Sequence, residues 1–418
     1  MPAALLAAWG CAHRAEPLTG RPSRPLILVT YLNVFGDGEH GWSHWRWSGR
    51  NPDGSARRFD PRTILGPEPW RRDIGVGVAG DYPLIGPYHC GDRGVVRFQM
   101  DCMRRCGVDG VLLYLYDDPA FYSTEAAISM FLDEARRAGL MVGFCDSEGE
   151  VAVGERFGGA YSDAFYADAL DRAARTLGRY AGHEAYLHID GRPFWMLGLN
   201  MERSPQRVGS FVRRLRKSAG NVYIACVTNA VYYMYEFGVE IVPGWPTTME
   251  ETLPTAEWAD TGVDCFTCYS PLALARADSS TALCYWQMYA YDSRRWGKGA
   301  IAFLMAGYDD SNWRRTVGVI PRVGGEAWRE RLRVGMSVDG LDAVVLQCWN
   351  EWHEGAVLEP NLGLRDAAGS PDPFLNLRIL AEELGVRWRP PEVPPEIVDP
   401  LLRRHGQSSL DPFLAGPK

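Results

Sequence analysis

The stretch LDAVVLQCWNEWHEGAVLEP, residues 341–360, gives the strongest indication of the fold, because it joins a continuous apolar run to a cluster of acidic and aromatic residues. The run has the length and unbroken hydrophobicity of a strand buried on both faces, as in a parallel sheet. Glu351 and Glu354 follow it directly. Acids at the end of a buried strand are costly to desolvate, so the arrangement indicates chemistry on a polar ligand.

Similar apolar runs precede this one, each bounded by glycine, proline or polar residues. They span residues 25–35, 108–116, 140–147, 193–200, 221–229, 263–270 and 300–310. With 341–352 they make eight predicted strands. Amphipathic helical patterns separate or follow several of them, at 123–139, 161–182, 204–220, 324–340 and 372–385. Strands alternating with helices in this number predict a single (β/α)8 TIM barrel with long β-to-α loops, rather than an open doubly wound sheet.

The chain divides into three predicted parts: residues 1–24 as a leader, 25–390 as the barrel and 391–418 as a proline-rich tail. The leader has a short apolar stretch, small residues and Cys11, as a lipoprotein signal has, but it lacks the usual positive charges. An exported location is therefore preferred, and a cytoplasmic one stays open. No stretch is long enough to predict a transmembrane segment.

The composition, 46% hydrophobic and 23% charged, is that of a globular protein with a sizeable core. A net charge of −8 argues against nucleic acid or an anionic membrane surface as the main partner. Cys265 and Cys268 form one C-x-x-C pair without a second pair, so we predict neither a metal site nor a redox site there. No cofactor motif is present, and we predict no cofactor.

Polar residues collect at the carboxyl ends of the predicted strands, where barrel enzymes hold their active sites. They are Tyr31, Asn33, Tyr116, Asp117, Asp146, Glu148, Asn200, Asn229, Tyr269, Tyr308, Asp309, Asp310, Asn350, Glu351 and Glu354. Paired carboxylates among aromatic residues indicate glycoside hydrolysis, in which one acid protonates the leaving oxygen and another acts as base or nucleophile. The alternative is that Glu351 ties down a loop while Glu354 is merely solvated, and the spacing alone leaves both open.

The motif W-N-E-W-H-E-G at 349–355, followed by Glu359, resembles the signature of glycoside hydrolase family 99. That family comprises endo-α-mannosidases and endo-α-mannanases that act on α-1,2-linked mannose. Further segments resemble the same family in the same order, at 73–111, 177–197 and 307–336. The resemblance extends over roughly residues 25–390 and implies a TIM barrel that acts on an oligosaccharide or polysaccharide.

By this resemblance the catalytic acids are Glu351 and Glu354. The first would deprotonate the 2-hydroxyl of the sugar, which attacks the anomeric carbon. The second would protonate the departing oxygen and later activate water, so that the configuration is retained. Such a mechanism requires Glu354 to hold a proton near neutral pH. No separate nucleophilic acid is needed.

The resemblance and the strand-end positions together predict a set of sugar-binding residues. They are His44, Trp45, Tyr116, Asp146, Glu148, Tyr269, Tyr308, Arg314, Asn350 and His353. His353 is interpreted as a hydrogen-bond partner that orients a nearby acid. Trp349 and Trp352 are interpreted as packing around the motif, and Glu359 as fixing the loop that follows it.

The chain departs from the family pattern after the third strand. The family reads F-H-I-E-P-Y there, with a glutamate that contacts the sugar, whereas residues 144–151 read FCDSEGEV. Asp146 or Glu148 would have to substitute, so the sugar stays open. Two alternatives to a hydrolase also remain: a family-99-like domain in surface polysaccharide biosynthesis, and a carbohydrate-binding barrel without catalysis. Oligomeric state is not predicted.

Overall fold

The computed structural model describes residues 24–36, 82–115, 124–146, 163–198, 204–229, 253–268, 277–309, 319–322, 324–352 and 354–398. Within them, parallel strands form a closed barrel, and one short strand forms a hairpin beside it. The strands are β1 (Leu26–Tyr31), β2 (Gly110–Leu115), β3 (Met141–Asp146), β4 (His188–Ile189), β5 (Arg192–Leu197), β6 (Tyr223–Asn229), β7 (Cys265–Cys268), β8 (Gly299–Met305) and β9 (Ala343–Gln347). Strand β4 is the hairpin strand and pairs antiparallel with β5.

The barrel closes because the first strand pairs with both the second and the last. Leu28 of β1 lies opposite Gly110 of β2 on one side and Val345 of β9 on the other. The remaining strands follow in chain order around the ring, and β3 pairs directly with β5. The predicted (β/α)8 barrel is therefore confirmed, and each of the eight apolar runs contains one of its strands.

Helices connect the strands and cover the outside of the barrel. They are α1 (Arg93–Arg105), α2 (Glu125–Ala138), α3 (Asp163–Tyr180), α4 (Pro205–Ala219), α5 (Ala256–Ala259), α6 (Ser279–Arg295), α7 (Glu326–Met336) and α8 (Leu375–Glu383). Side-chain oxygens cap several helix starts by accepting from backbone N–H groups of the first turn, at Asp92, Thr124, Ser204 and Asp278. Among the helices of the described segments, none is both long and apolar enough to cross a bilayer.

Three helices, α1, α5 and α6, were not among the predicted helical patterns, and α5 is a single turn of four residues. The buried residues of α6 include Tyr285, Trp286 and Tyr289, and aromatic residues favour strands as much as helices. The buried face of α1 is interrupted by Gln99, which weakens its apolar periodicity. Both features make α1 and α6 harder to recognise from the sequence than the predicted helices.

Acids at the amino-terminal rim of the barrel bind the neighbouring strands. Asp264 accepts from Arg192 at 2.7 Å and from Arg216 at 2.6 Å. Asp342, which precedes β9, accepts from the hydroxyl of Tyr223 at 2.8 Å. These contacts stabilise the barrel itself, because the candidate site lies at the opposite rim.

The chain packs against the core on both sides of residue 391, where the predicted tail begins. The ring of Trp388 lies 6.0 Å from that of Phe374, a 3₁₀ turn covers Pro395–Ile397, and Val398 is buried. Residues 1–23 and 399–418 lie outside the described residues. The predicted division into leader, barrel and tail stays a prediction.

Candidate active site

The motif at 349–355 folds into a short antiparallel hairpin directly after β9. Its strands are β10 (Asn350–Glu351) and β11 (Ala356–Val357), with Glu354 in the connecting turn. The hairpin follows a cis peptide bond between Gln347 and Cys348. Both predicted catalytic acids therefore lie on one small element at the carboxyl end of a barrel strand.

The two acids are half-buried, and backbone contacts fix the turn that carries Glu354. The carbonyl oxygen of Glu354 accepts from the backbone N–H of Asp309 at 2.8 Å, which ties the turn to the segment after β8. Gly355 has a φ of 57°, and a Cβ there would lie 3.1 Å from the Asp309 nitrogen. Only glycine suits this close approach and this left-handed conformation.

Asn350 attaches the hairpin to the end of β1. Its Oδ1 accepts from the Leu32 N–H at 2.9 Å, and its Nδ2 donates to the Leu32 carbonyl at 3.0 Å and to the Tyr88 hydroxyl at 3.2 Å. The residue is 0% exposed. Both amide hydrogens are thus used inside the protein. In the structure these contacts position the hairpin, and the predicted sugar contact of Asn350 stays a prediction.

A buried carboxylate, Glu359, lies just after the hairpin and is 1% exposed. Its Oε2 accepts from the Tyr88 hydroxyl at 2.7 Å and from the Trp352 Nε1 at 3.1 Å. Its Oε1 accepts from the Gln99 Nε2 at 2.7 Å. We call these residues, with Asn350 and Tyr31, the Glu359 network. The interpretation that Glu359 fixes the loop after the motif is confirmed.

Burial raises the pKa of Glu359 to about 7, although hydrogen bonds from Tyr88, Gln99 and Trp352 act in the opposite direction. Desolvation penalises the charged form, and three neutral donors compensate for it only in part. The Trp352 side chain is 0% exposed and that of Trp349 is 1% exposed, so their predicted packing role is also confirmed.

Gln99 is a member of the Glu359 network that sequence reasoning missed. It projects from α1, and its Oε1 accepts from the hydroxyl of Tyr31 at 2.8 Å. A signal was present in the sequence: Gln99 is four residues after Val95 and four before Met103, which places it on the buried stripe of the helix. A glutamine at such a position needs a buried partner.

Asp146 lies at the carboxyl end of β3, as the sequence predicts, and pairs with a helix. Its Oδ1 accepts from Arg172 of α3 at 3.0 Å, and the same guanidinium binds Asp168 at 2.9 Å. Asp146 is 4% exposed and Arg172 is 8% exposed. Gly198 passes so close that a Cβ there would lie 1.8 Å from the Asp146 carbonyl oxygen. One oxygen of this carboxylate is therefore committed to an ion pair instead of a sugar.

Tyr308 and Arg322 lie beside the hairpin. Tyr308 is buried in a small apolar cluster with Met305, Ile320 and Ala356 of β11. The Arg322 side chain runs along Gly307, and burial lowers its pKa to about 10. The structure thus brings the predicted residue Tyr308 to the hairpin, and it adds an arginine that the sequence did not single out.

The other predicted binding residues lie outside the described residues. They are His44, Trp45, Tyr116, Glu148, Tyr269, Arg314 and His353. Their roles stay predictions. In the segments that are described, no group of three or more histidine, cysteine or acidic side chains could hold a metal ion.

No family model and no curated protein sequence matches the chain. The chain is similar to the solved GH99 endo-alpha-mannosidase from Bacteroides thetaiotaomicron, with a TM-score of 0.62 and 17% identity over 87% of this chain and 98% of that one. A structure described as that enzyme in complex with bis-tris-propane gives a TM-score of 0.61 and 16% identity, over 86% and 96%.

A structure described as a glycoside hydrolase-like protein is also similar, with a TM-score of 0.53 and 13% identity over 88% of this chain and 96% of that one. At such identities the likeness shows the fold. The resemblance to family 99 read from the motifs therefore has a structural counterpart: the chain has the TIM-barrel fold of the family 99 endo-alpha-mannosidase structures.

Proposed function

We propose that the chain is a retaining, endo-acting glycoside hydrolase that cleaves an α-linked, mannoside-like glycan. The observation that carries the proposal is the placement of Glu351 and Glu354 on one hairpin at the carboxyl end of β9. Barrel enzymes hold their catalytic groups at this rim. The fold shared with family 99 endo-alpha-mannosidase structures supports the same choice of site.

In the proposed reaction, Glu351 takes the proton of the sugar 2-hydroxyl while that oxygen attacks the anomeric carbon. The bond to the departing oxygen breaks, and Glu354 gives this oxygen its proton. Glu354 then takes a proton from water, which attacks the anomeric carbon, and Glu351 returns its proton to the 2-oxygen. Each step inverts the anomeric carbon, so the two together retain its configuration. Two carboxylates are sufficient, and each acts as both acid and base.

The identity of the sugar depends on the segment after β3. Asp146, the last residue of β3, leads into that segment, and its Oδ1 is held by Arg172. We propose that Glu148, or the second oxygen of Asp146, takes over the sugar contact that the family assigns to a glutamate in this region. With this replacement, the substrate would be related to an α-mannoside but would make different contacts at this subsite.

The test is a cleavage screen of α-mannan and other α-linked glycans with the wild type, Glu351→Gln and Glu354→Gln. Asp342→Asn is the matched control, because Asp342 is a buried acid at the opposite rim. We expect internal cleavage, seen as a rapid fall in polymer size, and retention of the anomer by proton NMR. Each glutamate variant should lose about 100- to 10,000-fold in kcat, which is the usual range for a positioned acid or base.

Two outcomes contradict the proposal. If the wild type cleaves nothing but binds a glycan as tightly as both glutamate variants do, the chain is a carbohydrate-binding barrel. If it transfers sugar to a glycan acceptor without releasing free sugar, a role in polysaccharide assembly replaces hydrolysis.

A further inference from the structure

Glu359 is a buried acid that the proposed reaction does not use. It is held from three different parts of the chain: Tyr88 comes from the segment before α1, Gln99 from α1 and Trp352 from the hairpin. In the part of the chain that the structure describes, all of its hydrogen-bond donors are neutral. An enclosed carboxylate without a cationic partner is costly, which indicates that its position has a use.

Three lines of hydrogen bonds in the Glu359 network point towards the carboxylate: from Asn350 through Tyr88, from Tyr31 through Gln99, and directly from Trp352. The orientation of the Asn350 amide is set by the backbone, because its Oδ1 accepts from the Leu32 N–H. Its Nδ2 therefore donates to the Tyr88 oxygen, and the Tyr88 hydrogen is directed to Glu359. A set of donors without an acceptor suits an anion, and hydrogen bonds to an ionised group are the stronger kind.

Protonation of Glu359 would require part of this network to reverse. A carboxylic acid must donate its hydrogen, and the Gln99 branch can accept it if the amide makes a half turn. The Gln99 Nε2 would then donate to the Tyr31 oxygen, reversing the present bond from Tyr31 to the Gln99 Oε1. The Tyr88 and Trp352 branches have no such alternative, and they would lose the assistance of the charge.

The hydrogen bonds from Tyr88 and Trp352 are the ones that connect Glu359 to the hairpin. Trp352 follows Glu351 directly in the chain and donates to Glu359 itself. Asn350 precedes Glu351 and is reached through the Tyr88 hydroxyl. Glu359 thus holds the residues on both sides of the proposed base.

Four described titratable groups act electrostatically on Glu359, and none of them changes charge near neutral pH. The titratable groups that face it from β1, the segment before α1, and α1 are Tyr31, Tyr88, Cys90 and Cys102. Burial raises the pKa of each of them, to about 12 for Cys90, so all four stay neutral. The pKa of Glu359 itself is about 7.

We propose that the ionised carboxylate of Glu359 is a positioning residue for the hairpin that carries Glu351 and Glu354, and that its protonation loosens this hold. The consequence for catalysis rests on the proposed hydrolase function. The structural part of the inference does not depend on any substrate, so the two can fail separately.

The substrate-free test is an NMR titration of the Trp352 indole in the full chain labelled with nitrogen-15 tryptophan. Its cross-peak is assigned by its loss in Trp352→Phe. We expect the peak to titrate between about pH 5 and about pH 9 in the wild type, with a midpoint near 7, and to stay in place in Glu359→Gln. A Trp352 peak that does not move in the wild type overturns the proposal.

Hydrogen exchange measured by mass spectrometry tests the hold on the hairpin directly. Peptides covering 348–359 should exchange faster in Glu359→Gln than in the wild type at about pH 8, where Glu359 is ionised. Asp342→Asn, which also removes the charge of a buried acid bound to a tyrosine hydroxyl, should leave these peptides unchanged. Equal exchange in the wild type and Glu359→Gln overturns the proposal.

With a cleaved glycan in hand, Glu359→Gln should lower kcat by about 100-fold and leave KM within about twofold, as expected for misplaced catalytic groups. The acid limb of the kcat profile near pH 7 should disappear as well. An unchanged kcat and profile overturns the catalytic part. Trp352→Phe serves if Glu359→Gln does not fold, because it removes one donor and keeps the charge; it should shift kcat in the same direction by less.

Discussion

Two buried glutamates in this protein are stabilised in opposite ways. Glu134 of α2, 2% exposed, accepts from Arg93, Arg97 and Arg137 at 2.8–2.9 Å. Burial raises its pKa, but the arginine hydrogen bonds outweigh burial and bring the value to about 2. Glu359 is as little exposed as Glu134, but its neutral donors are themselves buried whereas the arginines over Glu134 are partly exposed, and its pKa is about 7.

The difference shows that burial alone does not decide whether an acid stays charged. Cationic partners make Glu134 a permanent anion that links α1 to α2. Neutral donors leave Glu359 balanced between its two forms at physiological pH. A buried acid of the first kind is a fixed support, whereas one of the second kind responds to its surroundings.

The largest expected effect in this comparison is the pH dependence of stability at Glu359. Folding raises its pKa from 4.5 to about 7, so the folded state favours the protonated form. The wild type therefore loses stability relative to Glu359→Gln as the pH rises through this window, by roughly 3 kcal/mol once the pH exceeds about 7. Urea unfolding at about pH 4.5 and about pH 8 measures the change. If the unfolding free energies of the wild type and Glu359→Gln change with pH in the same way, the pKa of Glu359 is not raised by folding. The contrast with Glu134 would then fail.

The next largest effect on stability is expected from removing a hydrogen-bond donor to Glu359. Gln99→Leu removes one donor from Glu359 and the acceptor of the Tyr31 hydroxyl. We expect a loss of about 2 kcal/mol at pH 8, because buried polar groups are left without partners, and a smaller loss at pH 5, where Glu359 is protonated. Gln206→Leu, on the exposed side of α4, is the control and should stay within about 0.5 kcal/mol of the wild type. Equal losses of unfolding free energy at both pH values would show that the contribution of Gln99 does not depend on the charge of Glu359.

The smallest effect is expected at the arginine-bound acid. Glu134→Gln should cost about 1 kcal/mol at neutral pH, since the guanidinium groups are 39–52% exposed and solvent screens them. Here the sign is reversed: the folded pKa is lowered, so the contribution is present above about 4.5 and is lost as the pH falls towards 2. Unfolding at low and high salt checks the assignment, because salt should weaken this contribution. A stability difference that grows on acidification would contradict it.

The strands were predictable because continuous apolar runs bounded by turn residues leave few alternatives. The motif predicted the two glutamates as catalytic acids, and these roles stay predictions. Asn350 and Asp146 were harder, since a polar residue at a strand end suits a ligand and a structural contact equally well. Only tertiary partners distinguish the two, and those partners are Leu32, 318 positions away, and Arg172 of α3.

Gln99 shows the same limit from the other side. Helical periodicity gives its burial, but its partner Glu359 lies 260 positions further along the chain. The local sequence pattern indicates that a buried amide needs a hydrogen-bond partner but does not identify it. The partner is known only once the barrel is closed, because closure brings Gln99 and Glu359 together.

That closure joins the last barrel strand to the first. Thr30 in β1 accepts from the backbone of Trp349 and from the thiol of Cys348, which is 318 positions away. Contacts between positions so far apart slow folding, because the entropy lost on closing the loop has to be offset before the contacts stabilise the fold. Glu351, Glu354 and Glu359 all follow β9 in the chain. A truncated chain that ends before β9 would therefore lack the strand that closes the barrel, the proposed catalytic acids and the carboxylate proposed to position them.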